Sequence, residues 1–149
     1  MAKIPSVEHV YFYQAAPARV FRALSDPKEI VKWFPSRAKI ELRKGGEFRL
    51  FWEGGVMKGK VKAVDAPKRL VVVWHDRIDG KSYDTVARFE LKKKGTGTIL
   101  ALTHEGFKSG KDWIWLYGAI QSGWAYYLTN LRSVLEHGTD LRSAHDSIA

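Results

Sequence analysis

His104 is the titratable side chain best placed to do chemistry inside this chain. Leu100, Leu102 and His104 alternate along one strand-like run, so the imidazole faces the same way as two leucines, toward an interior. A histidine there is either a core residue with its hydrogen bonds satisfied or a polar anchor for a bound molecule. Acid–base catalysis would need a carboxylate facing it. Glu105 is adjacent and points away, and Asp84 and Tyr83 are weaker candidates. His75 and Asp76 also suggest an acid/base pair, but neighbours on a strand face opposite sides. A polar strand end is the simpler reading.

The aromatic residues make a stronger constellation. Six tryptophans, six tyrosines and seven phenylalanines form 13% of the 149 residues, and many fall at inward positions. They can simply fill a core, each burying roughly 150–250 Å². Tryptophan and tyrosine carry polar tips that need partners, however, and a purely structural core favours leucine and isoleucine. Large rings around a few polar groups are also what lines a pocket for an apolar ligand.

Other chemistries are excluded by residue type. There is no cysteine, hence no disulfide, thiolate metal site or cysteine nucleophile. Five scattered histidines offer no paired ligands at helical spacing, so no metal is expected. No glycine-rich loop opens a helix after a strand, and no G-x-S-x-G elbow occurs, so no nucleotide cofactor or serine triad is expected. The excess of 25 lysines and arginines over 16 acids gives a net charge of +9. These cations are dispersed, which argues for a basic surface rather than a nucleic-acid footprint. The start of the chain has no apolar run after Lys3, so a cytoplasmic protein without a signal peptide is expected.

The elements that must hold these residues follow from periodicity. Val7 to Tyr13 reads as a strand, and Pro17 opens a short helix carrying Val20, Phe21 and Leu24. Asp26-Pro27 starts a second short helix with Ile30, Val31, Trp33 and Phe34 as its apolar residues. Residues 38 to 104 alternate as about six antiparallel strands separated by glycine turns, with Arg77 to Gly80 as a polar loop. From Trp113 to Leu135 the period becomes 3.6, predicting a helix over about 110–137 that stops at Gly138. Residues 113 to 131 carry no charge, but Gln121, Ser122, Thr129 and Asn130 interrupt the run, so no membrane span is expected. One sheet has one face to bury and one long helix to cover it. The expected architecture is α+β: a curved antiparallel sheet of about seven strands around the C-terminal helix. Residues 1–142 form a single domain, 143–149 a frayed tail, and a cavity lies between sheet and helix.

Five blocks in order resemble a known family: AAPARVFRALSDPKEIVKWF at 15–34, GGEFRL at 45–50, the D-x-P-x-R-L turn at 65–70 before Trp74, GTGTILALTHEGF at 95–107, and GWAYYLTNLRSVLEHGTDLR at 123–142. They are similar to proteins like the activator of the heat-shock protein 90 ATPase, within the START-like (SRPBCC, helix-grip) superfamily. The resemblance implies a helix-grip domain with an apolar cavity. Its lining is expected from Trp33 and Phe34 after the second short helix, Phe48, Leu50 and Trp52 on one strand, and Met57 and Val61 on the next. Trp74, Phe89, Leu102 and His104 follow from later strands, and Trp113, Tyr117, Ile120 and Trp124 from the long helix. Trp33 and Phe34 are placed to gate the entrance, with Arg37 and the Phe107-Lys108 loop beside it for an anionic head group.

The function expected is binding of an apolar, aromatic or lipid-like molecule in that cavity, by a monomer or homodimer with no cofactor. One alternative is a partner of heat-shock protein 90 that stimulates its ATPase, although such co-chaperones carry a further N-terminal domain. Another is a cyclase-like enzyme working inside the cavity through His104, since superfamily membership alone does not specify activity.

Overall fold

A computed structural model describes residues 3–142. The expected frayed tail from Ser143 onward lies outside the described residues. The chain opens with β1 (Val7–Tyr13), α1 (Pro17–Ser25) and α2 (Pro27–Ile30). There follow β2 (Arg37–Ile40), β3 (Glu47–Trp52), β4 (Gly55–Asp65), β5 (Arg69–Ile78), β6 (Lys81–Lys94) and β7 (Gly97–Glu105), and the long helix α3 (Lys111–His137) closes the fold. The seven strands form one antiparallel sheet in the order β1-β7-β6-β5-β4-β3-β2. It curves around α3 in the helix-grip arrangement. Among the described residues no helix is long and apolar enough to cross a membrane.

Alternation decides which side chains enter the grip. Phe48 and Leu50 on β3, Leu70, Val72 and Trp74 on β5, Ala87, Phe89 and Leu91 on β6, and Leu100 and Leu102 on β7 are all buried. Leu116, Trp124, Leu128 and Leu131 of α3 meet them. Tyr11 and Tyr13 fasten the helix to β1, donating to the carbonyls of Ala125 (3.2 Å) and Leu128 (2.8 Å). Gly138 ends α3 at φ 67°, a left-handed conformation that glycine adopts without a Cβ penalty.

Two boundaries differ from the sequence expectation, and both matter to the interior. The second helix is a single turn, and Val31 to Phe34 form an irregular turn beyond it. The expected polar loop at 77–80 is instead a tight hairpin. Asp79 and Gly80 both have positive φ (50° and 80°), as a two-residue type I′ turn requires. This turn extends β5 to Ile78 and sets Asp76 opposite Tyr83 and His75 opposite Asp84.

Candidate functional site

The aromatic residues converge where the Val31–Phe34 turn meets the middle of α3. The Phe34 ring lies 5.2 Å from Trp52, 6.1 Å from Trp74, 5.0 Å from Trp124 and 4.7 Å from Tyr127. These rings, with Ile120, Ala119 and Gly123 of α3, surround a pocket of about 130 Å³. A Cβ placed on Gly123 would meet nothing within 4 Å, so the glycine leaves open space on the helix side. A typical ligand pocket holds roughly 300–1,000 Å³. The space here is nearer the roughly 150 Å³ of an apolar cavity that takes up benzene, and accepts about one aromatic ring. Outside it, sharing Phe34, Trp52 and Tyr127, is a more polar groove of about 510 Å³ that includes Arg142 and Asp140.

Phe34 is held at this boundary by backbone contacts made from both ends of the chain. Trp33 donates its indole N–H to the Ala23 carbonyl (2.8 Å), and Asn130 of α3 donates to the Trp33 carbonyl (2.9 Å). Arg142 donates to the carbonyls of Val31 (2.7 Å), Phe34 (2.8 Å) and Pro35 (3.1 Å) while pairing with Asp140. Burial works to raise the Asp140 pKa, but hydrogen bonds from Arg142 and Asn130 outweigh it and hold the carboxyl below its usual range. The cation beside the mouth is therefore Arg142. Arg37 instead lies over the Phe51 ring (4.8 Å), and Phe107 packs on His104 and Tyr117, away from Phe34.

His104 is fully buried and its ring is completely partnered. The Trp124 indole donates to Nδ1 (3.0 Å), and because an indole nitrogen can only donate, Nδ1 must accept. The proton of the neutral ring then sits on Nε2 and is donated to Thr85 Oγ1 (2.6 Å). Burial depresses the His104 pKa to about 3, so the ring stays neutral throughout the ordinary pH range. Neither nitrogen is free to exchange a proton with a guest. The residue orients Trp124 and thereby one wall of the pocket.

Asp76 presents the opposite situation. Its Oδ2 is shielded from solvent and has no hydrogen-bond partner. Burial raises its pKa to about 6, with His75 opposing the shift and Asp84 adding to it. Tyr83, directly across the hairpin, is committed elsewhere: its hydroxyl donates to Asp112 Oδ2 (2.7 Å) at the start of α3. His75 lies on the other face, in a very short contact with Asp84. The pocket wall has an orphan of its own in the Trp52 indole N–H, which is dry and unpartnered.

Of the residues anticipated from sequence, the structure brings Phe34, Trp52, Trp74, Ile120 and Trp124 to the pocket. Trp33, Phe48, Leu50, Met57, Val61, Phe89, Leu102 and His104 are buried in the surrounding core without lining it. Trp113 and Tyr117 sit toward the start of α3, against Tyr83 and Phe107 respectively. Tyr127, Ala119 and Gly123 were not anticipated, although Tyr127 and Gly123 lie one helical turn from Gly123 and Ala119 and share their face. A larger groove of about 630 Å³ occurs elsewhere, where Pro17, Pro67, Leu91, Ile99 and Ala101 meet charged side chains such as Lys68, Arg69, Lys92 and Lys93. No cluster able to hold a metal ion exists among the described residues.

Residues 14–136 match a family model, that of the Activator of Hsp90 ATPase homolog 1-like protein. The chain belongs to this family. A search of curated proteins found no match. Among solved structures, protein MLL2253 from Mesorhizobium loti is 25% identical with a TM-score of 0.80, over 90% of this chain and 98% of that one. CalU16 from Micromonospora echinospora is 28% identical with a TM-score of 0.71, over 88% and 74%. PFC0360w, described as an HSP90 activator from Plasmodium falciparum, is 24% identical with a TM-score of 0.77, over 89% and 96%, and shares the fold. These structures share the helix-grip architecture with this chain.

Proposed function

We propose that this family member binds a small aromatic or otherwise apolar molecule between α3 and the sheet, with one ring inside the Phe34–Trp124 pocket and the remainder in the outer groove. The observation that carries the reading is the apolar space between Phe34, Trp52, Trp74 and Trp124, with Gly123 on its helix side. An exposed or half-buried helix glycine costs roughly 1 kcal/mol relative to alanine, and here no backbone approach requires it. A ring-sized apolar opening walled by five large aromatics, one of them with an unpartnered indole N–H, supports the same reading.

The test is a titration of intrinsic tryptophan fluorescence with toluene and with single-ring amphiphiles, comparing the native chain with Gly123→Leu. Native protein gives a saturable change, and the leucine, which fills the pocket, abolishes it while the far-ultraviolet spectrum is retained. Equal responses from both proteins would place the binding elsewhere. Native mass spectrometry of protein purified from its own host then names the ligand class.

The family match favours a second reading, stimulation of the heat-shock protein 90 ATPase by surface contact. An ATPase assay with the purified chaperone decides it: no stimulation at saturating concentration removes this reading and leaves the pocket untouched.

A further inference from the structure

The larger groove lies where the start of α1 and the β4–β5 turn meet β6 and β7. Ile99 and Ala101 alternate with the buried Leu100 and Leu102, so both face outward on β7 and form an apolar floor. That floor continues onto β1. In register Phe12 stands beside Ile99 and Val10 beside Ala101, with 39% and 72% of their surfaces exposed. Gly97 lets the Phe12 ring lie against the backbone of β7, since a Cβ there would collide with the ring. Scattered exposed apolar residues are ordinary, but four side by side on two paired strands make a patch. The charges around it are unevenly matched. Arg69 stands in register between Asp65 and Glu90, so its charge is offset on both sides. Lys92 stands beside Ile99 and Lys93 beside Thr98, while the Leu91 N–H donates to the Lys68 carbonyl (2.8 Å) and holds a third lysine at the same end. Among the described residues none of these three lysines makes an ion pair.

We propose that this groove is a second binding site, for a free single-chain amphiphilic anion such as a medium-chain carboxylate or an alkyl phosphate. The head group lies among Lys68, Lys92 and Lys93, and the chain runs over Ile99 and Ala101 toward Phe12 and Val10. At about 630 Å³ the groove falls within the roughly 300–1,000 Å³ of ligand sites. Covering the floor removes apolar surface from water at roughly 25 cal/mol per Å², and the lysines select the sign of the head group. A cationic chain of equal length gains the same floor and meets repulsion. A small anion is drawn by the net charge of +9 but covers no floor. The site is separate from the Phe34–Trp124 pocket and stands whether or not that pocket binds a ring.

Decanoate, decylamine and acetate, all well below micelle-forming concentrations, separate these contributions. Binding is followed through the backbone amides of Leu91, Ile99 and Ala101 in proton–nitrogen NMR spectra at pH 7.5. The native chain is expected to bind decanoate about tenfold more tightly than either decylamine or acetate. Lys92→Gln combined with Lys93→Gln should bring decanoate within about twofold of decylamine and retain the response of the inner pocket to toluene. Ile99→Ser, expected to weaken decanoate about fivefold, tests the floor should the lysine variant fail to fold. Decylamine or acetate binding as tightly as decanoate overturns the site, as does an unchanged decanoate affinity in a folded variant. Decanoate shifts confined to the Trp52 and Trp124 indole signals overturn it too, by placing the chain in the inner pocket. Binding to phosphatidylglycerol vesicles without saturable decanoate binding assigns the patch to a membrane surface and overturns the free ligand. The toluene titration bears on the inner pocket alone, so the two readings fail separately.

Discussion

His104 and Asp76 are two titratable residues on the inward face of one sheet, on strands separated by β6, and burial shifts both toward neutrality. What distinguishes them is partnership. Trp124 and Thr85 satisfy both nitrogens of His104, so the histidine behaves as a polar rivet between sheet and helix. Asp76 has a dry oxygen that nothing in the protein reaches. A shifted pKa alone would rank the two together as functional candidates. The hydrogen-bond inventory separates them, assigning the histidine to structure and leaving the carboxylate unpaired.

The largest effect that would break this contrast is at the histidine. His104→Ala leaves a cavity and strips partners from the Trp124 indole and the Thr85 hydroxyl, with an expected loss of about 3–5 kcal/mol in urea unfolding. A loss below about 1 kcal/mol would show that the ring is not the rivet described.

The pH dependence sharpens the comparison because the two residues act in opposite directions. His104 is neutral in the native state down to about pH 3, whereas the unfolded imidazole protonates near 6.5. Its contribution is therefore complete above pH 6.5 and is lost as the pH falls, by up to about 1.4 kcal/mol per unit. Asp76 binds its proton near pH 6 in the native state and near 3.8 in the unfolded state. Its contribution is complete below pH 3.8 and lost as the pH rises through 6. Between pH 4 and 6 the two slopes oppose each other. Asp76→Asn should unmask the histidine slope, so that this variant loses stability toward pH 4 more steeply than the native chain. Identical slopes in the two proteins would contradict the assignment.

A smaller effect is expected in the stability of Asp76→Asn itself. Removing the buried charge should stabilise the protein by about 1–2 kcal/mol at pH 8, allowing for partial exposure, and by nearly nothing at pH 4. Thermal melts at the two pH values check this, and destabilisation at pH 8 would reveal a partner for Oδ2. The smallest effect concerns the mouth. Arg142→Ala removes three bonds to the Val31–Pro35 backbone, with an expected loss of about 1 kcal/mol and a shifted Trp33 indole signal. An unmoved Trp33 signal would mean that the turn is held without the arginine.

Much of this was legible beforehand, and the failures have identifiable causes. Alternation in β3, β5, β6 and β7 and the 3.6 period of α3 gave the inward faces, which is why Trp52, Trp74, Ile120 and Trp124 could be named as lining candidates. The same alternation could not tell which inward residues touch empty space, so Phe48, Phe89 and Leu102 were grouped with them though they pack against other side chains. Alternation correctly separates His75 from Asp76 as neighbours on opposite faces, but a polar strand end says nothing of the burial that Asp76 meets in three dimensions. The Asp79-Gly80 dipeptide is the hairpin signal that would have extended the strand and turned Asp76 inward. Arg142 lies outside any periodic pattern, and only the fold brings it to Phe34, over a hundred residues earlier in the chain.

The order of residues by itself determined the helix-grip class, because period-two and period-3.6 patterning specify which face of each element must leave water. Which of those buried groups meet one another was decided only in three dimensions. Satisfaction of a hydrogen bond and the emptiness of a space depend on atoms from β3, β5, β6 and α3 arriving at the same point, and no local pattern encodes that meeting.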